Sequence, residues 1–286
     1  MSVGESPSLD TGIPHPARVY DYWLGGKDNF AADRETGDQI VATQPSVLPA
    51  VRANRAFLRR AVQFLAREAG IRQFLDIGTG LPTNENTHQI AQGVAPEARV
   101  VYVDNDPIVL VHARRLLEGS AEGATTYIEA DARDPEGILR EAGRTLDLRQ
   151  PVGVMMLAVM HFVPDADDPP GIVARVMDGV AAGSYLTLSE ATRDIDTERI
   201  TQAAGAFNEQ RVAARFVPRT RAEIMRYFEG LELVEPGLVP LPEWRGAGKA
   251  KEWIPAYGGV ARKPTRRHAG RRPRKRPAST PGPGPG

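Results

Sequence analysis

Three acids that each follow a short apolar run are the residues best placed to do chemistry. They are Asp76 after Phe74-Leu75, Asp104 after Val100-Val101-Tyr102-Val103, and Asp131 just past Tyr127-Ile128-Glu129-Ala130. Behind the first comes Gly78-Thr79-Gly80, where two glycines let the backbone turn tightly and approach a ligand that any Cβ would obstruct. An acid about 20 residues past such a turn is placed to accept hydrogen bonds from the hydroxyls of a ribose. That role is expected of Asp104, with Asn105 beside it. Asp131 is expected to accept from an adenine amino group while the Ala132 backbone supplies a donor. Asn84 and Asn86 open the helix after the glycines and can present amides to the polar end of the ligand. Together these positions point to an adenosine-containing ligand.

The turn also discriminates between such ligands. A hydride-transfer cofactor needs a pyrophosphate site, normally G-x-G-x-x-G, whose third glycine allows close helix packing. Here that position is Thr83, and the carboxylate of Asp76 precedes the first glycine. A carboxylate is awkward beside a pyrophosphate but suits a ligand carrying an ammonium group. S-adenosylmethionine is such a ligand, and transfer of its electrophilic methyl requires mainly alignment and desolvation. An NAD-dependent oxidoreductase is the disfavoured alternative. A non-catalytic protein that senses S-adenosylmethionine or S-adenosylhomocysteine stays open, because no residue stands out as a catalytic base. His161, after the fourth strand candidate, is the candidate general base for a hydroxyl or acid acceptor, with Glu190 as a second. Leu157-Ala158-Val159-Met160-His161-Phe162 lacks the Asn/Asp-Pro-Pro-aromatic string that holds an sp² amine in plane, which disfavours nucleobase amines as acceptors. Asp167-Asp168-Pro169-Pro170 reads instead as a helix cap.

Residues at strand ends need strands, and the pattern supplies them. Candidates lie at 73–77, 99–103, 124–129, 152–158 and 184–190, alternating with helix candidates at 84–92, 107–118, 135–142 and 170–182. Near-continuous apolar runs such as Val152-Gly153-Val154-Met155-Met156-Leu157 argue for a doubly wound, mostly parallel sheet covered on both faces. Helices near 196–214 and 220–228 and strands near 231–234 and 252–260 follow, the last two expected as a closing hairpin. Upstream, Val19, Tyr22, Trp23 and Phe30 can share a helical face interrupted at Gly25-Gly26. A long helix starts at Pro45-Ser46, with Val47, Val51, Leu58, Val62 and Leu65 forming a buried stripe that includes Asn54. The expected organisation is a leader at 1–13, an N-terminal helical region at 14–70, a ligand-binding α/β domain at 71–261 and a tail at 262–286.

Bulk properties narrow the classes further. The chain has 286 residues, 41% of them apolar and 25% charged, enough for a sizeable core. It has no cysteine, which excludes disulfides, thiolate metal sites and cysteine nucleophiles, and its five histidines show no metal-binding spacing. No apolar run approaches the ~20 residues of a membrane span, and the start lacks a secretory pattern, so a cytoplasmic protein is expected. The zero net charge hides a division: nine basic residues lie between Arg262 and Arg276, and setting them aside leaves 27 basic against 36 acidic residues, about −9. Such a tail reads as a solvated extension, and it is the only part suited to nucleic acid.

The strings Pro16-Ala17-Arg18-Val19-Tyr20-Asp21-Tyr22-Trp23-Leu24-Gly25-Gly26-Lys27-Asp28-Asn29-Phe30 and Ala53-Asn54-Arg55-Ala56-Phe57-Leu58, with the Leu75–Thr83 turn and Val101–Pro107, resemble a family of bacterial S-adenosylmethionine-dependent methyltransferases. That family is frequent in actinomycetes, and its acceptor is not established. The resemblance runs from about residue 14 to 260. It implies a class I, Rossmann-like methyltransferase fold with added N-terminal helices and cofactor roles for Asp76, Gly78, Gly80, Asp104 and Asp131. It also implies that the N-terminal string folds over the cofactor, with Arg18 or Tyr22 contacting the cofactor's carboxylate or covering its methyl. The acceptor is expected to be a small molecule.

Overall fold

The computed structural model describes residues 10–82, 85–109, 122–210, 212–246 and 254–265. Five strands follow the alternating pattern: β1 (Gln73–Ile77), β2 (Arg99–Asp104), β3 (Ala124–Glu129), β4 (Gly153–Leu157) and β5 (Tyr185–Ala191). They pair in parallel in the order β3-β2-β1-β4-β5. The order reverses between β1 and β4, and a parallel sheet leaves a crevice outside the carboxyl ends of its strands at that point.

The remaining strands are β6 (Glu232–Leu233), β7 (Val239–Pro240) and β8 (Ala256–Arg262). The two expected terminal strands do pair, β6 with β8 in antiparallel fashion. β8 lies antiparallel between β5 and β6, with β7 also paired to it. Val260 and Ala261 are fully buried, as the inner strand of that pair should be, because β8 is covered by β5 on its other side. β8 also runs through Arg262, and Lys263 donates from Nζ to the carbonyls of Met177 and Val180, so the first two residues of the basic run belong to the folded body. The rest of that run, from Arg266 onward, lies outside the described residues.

Helices cover both faces. α1 (Pro16–Trp23), α2 (Ala31–Thr43) and α3 (Val47–Arg67) precede the sheet. α4 (Thr87–Gln92), α5 (Pro135–Ala142), α6 (Pro169–Asp178), α7 (Thr197–Glu209) and α8 (Arg221–Met225) follow in turn. Start signals are local. Asp134 and Asp168 each accept from a backbone N–H in the first turn, ahead of a proline at the first helical position. α7 stops at Glu209, short of the expected 214. The amide of Asn208 brackets Phe216, donating to its carbonyl and accepting from its N–H at 2.8 Å each, and turns the chain back. The helix expected at 107–118 falls largely outside the described residues.

Alternation along the strands separates two apolar clusters. Leu75, Ile77, Val101, Val103, Val154 and Met156 face α5 and α6. Phe74, Val100, Met155 and Val260 face α3, whose Phe57, Val62 and Leu65 are fully buried in the same cluster. α3 is therefore part of the sheet's own core. Among the described residues, no helix is long and apolar enough to cross a membrane.

Candidate functional site

The crevice at the β1–β4 reversal is a cleft of ≈ 280 Å³. Asp76, Gly78 and Gly80 from the end of β1 line it, with Asp104 and Asn105 from β2, Asp131 and Ala132 from β3, and Ala158 and Val159 from β4. The turn after β1 needs glycine for two reasons. Gly78 has φ +72° and Gly80 φ +66°, the left-handed region that favours glycine. A Cβ on Gly78 would also sit 2.6 Å from Cβ of Val159.

Asp104 ties the turn to the second strand. Its Oδ2 accepts from Gly80 N–H at 2.7 Å and its Oδ1 from Asp106 N–H at 3.0 Å, and burial raises its pKa above the ordinary range. Asp76 is buried too. Its Oδ2 accepts from the Thr87 hydroxyl at 2.6 Å, and burial pushes the carboxyl up to about 6. The Thr87 bond and the Arg55 guanidinium pull the value down, and Asp104 pulls it up. Two desolvated carboxylates beside bare backbone suit a ligand that brings donors and positive charge. A pyrophosphate would meet like charge there.

Asp131 is arranged differently. It accepts from Arg133 through the backbone N–H and Nε on Oδ1, at 2.9 Å each, and through Nη2 on Oδ2 at 2.7 Å. These bonds hold its pKa below the ordinary range. The Asn105 side chain hydrogen-bonds it as well, so Asp131 is held in place at the cleft wall.

Other expected residues lie elsewhere. Arg18 is buried with Nε donating to Asp106 Oδ2 at 3.0 Å, and it bolts α1 to the end of β2 instead of entering the cleft. Tyr22 donates its hydroxyl to Asp38 at 2.8 Å on the surface side of α1. Asn86 caps α4, its N–H donating to Gln89 Oε1 at 2.8 Å. Asn84 lies outside the described residues.

His161 does not line the cleft at the β1–β4 reversal. Its Nδ1 accepts from Ala191 N–H at 3.3 Å, which places the proton of the neutral ring on Nε2 and leaves no free lone pair. Burial, with Arg219 nearby, holds its pKa down to about 3. We therefore do not assign His161 a proton-accepting role. Glu190, the second candidate, accepts from Arg219 Nη1 at 2.7 Å and is held in a buried ion pair.

Sequence reasoning also passed over several cleft residues. His15 and Ala17 border it from one side and Ala213, Ala214 and Arg215 from the other, joined by Ala213 N–H donating to Pro14 O at 3.0 Å. Tyr20, Asn54 and Arg55 form its inner edge. The signal for these three was present, since all sit inside the unusual strings, but spacing alone reads Tyr20 and Asn54 as packing. Nothing in the sequence marks Arg215.

The Asp76 carboxyl gives a pH dependence. Its folded pKa lies above the unfolded 3.8, so its contribution to stability is present below that value and is lost as pH rises through about 6. The loss is roughly 3 kcal/mol. A ligand that places an ammonium group against this carboxylate reverses the preference, so affinity for the zwitterion S-adenosylhomocysteine is expected to rise between about pH 5 and 7. Calorimetry across that range tests it, and a flat profile, or one unchanged in Asp76→Asn, rejects the assignment.

Residues 2–264 match the profile of a family described as S-adenosyl methyltransferase. Two solved structures align over nearly the whole chain. A DUF574 family protein of Streptomyces avermitilis is 49% identical, the alignment covering 89% of this chain and 99% of that one with a TM-score of 0.85. A Thermobifida fusca protein provisionally named a methyltransferase is 40% identical across 92% of this chain and 100% of its own, with a TM-score of 0.84. No curated protein matches the chain.

Proposed function

Because the chain belongs to the S-adenosyl methyltransferase family, we propose that S-adenosylmethionine lies across the β1–β4 crevice and that its methyl passes to a small-molecule acceptor. The observation that carries the placement is the pair of buried, desolvated carboxylates, Asp76 and Asp104, on either side of the Gly78–Gly80 turn. In this reading Asp104 accepts from the ribose hydroxyls and Asp76 faces the ammonium group. Arg55 stands toward the methionyl carboxylate. Asp131 and the Ala132 N–H take the adenine edge, with Val163 and Pro164 as its apolar wall. When bound, the cofactor supplies an electrophilic methyl whose bond to sulfur breaks as an acceptor lone pair attacks, the electron pair staying on sulfur. The chain's own residues contribute orientation and exclusion of water, the two effects on which such a transfer chiefly depends.

The test is calorimetry with S-adenosylhomocysteine. Asp104→Ala is expected to weaken binding by ~1.5–3 kcal/mol, or about 10- to 150-fold. Asp104→Asn, which keeps one acceptor oxygen, is expected to fall between. A folded Asp104→Ala protein with unchanged affinity rejects the ribose assignment. Formation of S-adenosylhomocysteine in the presence of acceptors separates turnover from sensing.

A further inference from the structure

Beside the cofactor cleft lies a second cavity, ≈ 130 Å³, enclosed by α1, α2, α3, α7 and the ends of β4 and β5. The two share Pro16, Tyr20, Asn54, Ala158 and Phe162, so one wall serves both. We infer that this chamber is the acceptor site, and that it takes a neutral, single-ring aromatic molecule whose hydroxyl or amine points to the shared wall. The inference rests on the cofactor placement above and adds the substrate class.

Size sets the ring count. An apolar cavity of ~150 Å³ holds one benzene-sized ring, and this chamber is of that order. Chemistry sets the character. Val19, Trp23, Ile40, Val51 and Ile200 make it apolar, and Phe162, Phe207 and Phe216 form a cluster with centroids 5.9 Å apart. Such rings favour an aromatic guest in offset or edge contact.

Charge is excluded. The titratable groups on the chamber wall are Tyr20, His161 and Glu190. The imidazole of His161 is neutral, and the carboxylate of Glu190 is held by Arg219. Among the described residues Glu190 Oε2 has no hydrogen-bond partner, but its charge is already matched by Arg219. An ammonium would gain one acceptor and no net opposite charge, and an anion would gain nothing for its lost hydration. Gln44 adds a preference: it is buried on the chamber wall, and among the described residues its Oε1 has no hydrogen-bond partner. It is suited to a donor on the ring.

The shared wall is built for a fixed position. Ser189 donates to Asn54 Oδ1 at 2.6 Å, Asn54 Nδ2 donates to Tyr20 Oη at 3.0 Å, and Tyr20 donates to Val51 O at 3.2 Å. Ala158 is held in a left-handed conformation, φ +54°, with its N–H donated to Ser189 at 3.0 Å. Backbone strain of this kind persists where the surroundings over-determine it, often at functional sites. The acceptor heteroatom forms its bond to the methyl here as the methyl–sulfur bond breaks toward sulfur, and the heteroatom's own proton passes afterwards to bulk water at the mouth of the cleft. No residue of the chamber has to take it.

The test is calorimetric titration of the full chain, saturated with S-adenosylhomocysteine, using 4-methylphenol, 4-hydroxybenzoate and tyramine. The neutral ring is expected to bind at least about tenfold tighter than either charged one. Ala203→Phe and Ala50→Phe fill the chamber from α7 and α3 without touching the cofactor cleft. Each is expected to weaken 4-methylphenol at least about tenfold while changing the nucleoside's Kd less than about twofold. Equal binding of the charged rings, no binding of the neutral ring, or folded variants that bind it unchanged would overturn the proposal. Failure of the wild-type protein to bind S-adenosylhomocysteine overturns the cofactor placement instead. The same titration without nucleoside then still reads the chamber.

Discussion

Arg219→Met is expected to lose about 3–5 kcal/mol of stability near pH 8, because it leaves a buried carboxylate without its partner. Arg219 is 4% exposed and Glu190 1%. The guanidinium donates to Glu190 Oε1, to Asp165 and to the carbonyls of Met160 and Val163, all between 2.7 and 3.1 Å. Even with that partner, burial pushes Glu190 up to about 7, and removing the arginine raises it further. A folded pKa above the unfolded one contributes stability at low pH that is lost as pH rises through the folded value. The deficit should therefore shrink by about pH 5.5, where Glu190 is neutral. Urea unfolding at both pH values measures this. A loss below about 1 kcal/mol near pH 8, or the same loss at both, would show that the pair is not what holds this corner. Arg219→Met/Glu190→Gln should recover part of the stability. Arg219 also fastens Val163 beside the cleft, so nucleoside affinity should fall with the single variant.

Gly78→Ala should be the second most damaging change. Left-handed φ at a residue with a side chain costs about 1–2 kcal/mol, and forcing a methyl into packed surroundings about 1–3 kcal/mol more. The obstacle is Val159, Cβ included, so Val159→Gly in the same chain should relieve the steric part and leave the conformational part. A coupling energy of about 1 kcal/mol or more in the double-mutant cycle is expected. Strict additivity would mean that Val159 is not the neighbour that matters. Because the turn carries the N–H that Asp104 accepts, nucleoside affinity should drop together with stability.

The sheet was legible because β-branched runs end in acids and glycines. The expected 73–77, 124–129 and 135–142 coincide with β1, β3 and α5. Periodicity fixes which face a residue occupies, and that brought Asp76, Asp104 and Asp131 to one crevice. It does not fix the partner. Arg18 meets Asp106 across 88 residues of chain, and an arginine in a lid-like string looks the same whether it meets a ligand or a buried acid. His161 misled for a similar reason: a strand-end histidine suggests a base until the antiparallel neighbourhood of β5 shows its lone pair taken by Ala191. α2 escaped notice because Ala31–Thr43 holds few apolar residues and buries polar Asp33 and Thr36. The chamber needs α1, α2 and α7 in place together, which no local pattern encodes.

The two flanks of the crevice are fastened unequally. On one, Arg18 and Asp106 form a buried ion pair, which salt barely screens and which is strongly destabilising to break. On the other, among the described residues, 212–215 are joined across the mouth by the Ala213 N–H to Pro14 O, worth about 1 kcal/mol. The Ala213 contact is therefore the weaker fastening of the two, while Phe216 beside it is anchored separately by Asn208. Salt should weaken neither fastening much, but a change at residue 213 should disturb the mouth far less than one at Arg18.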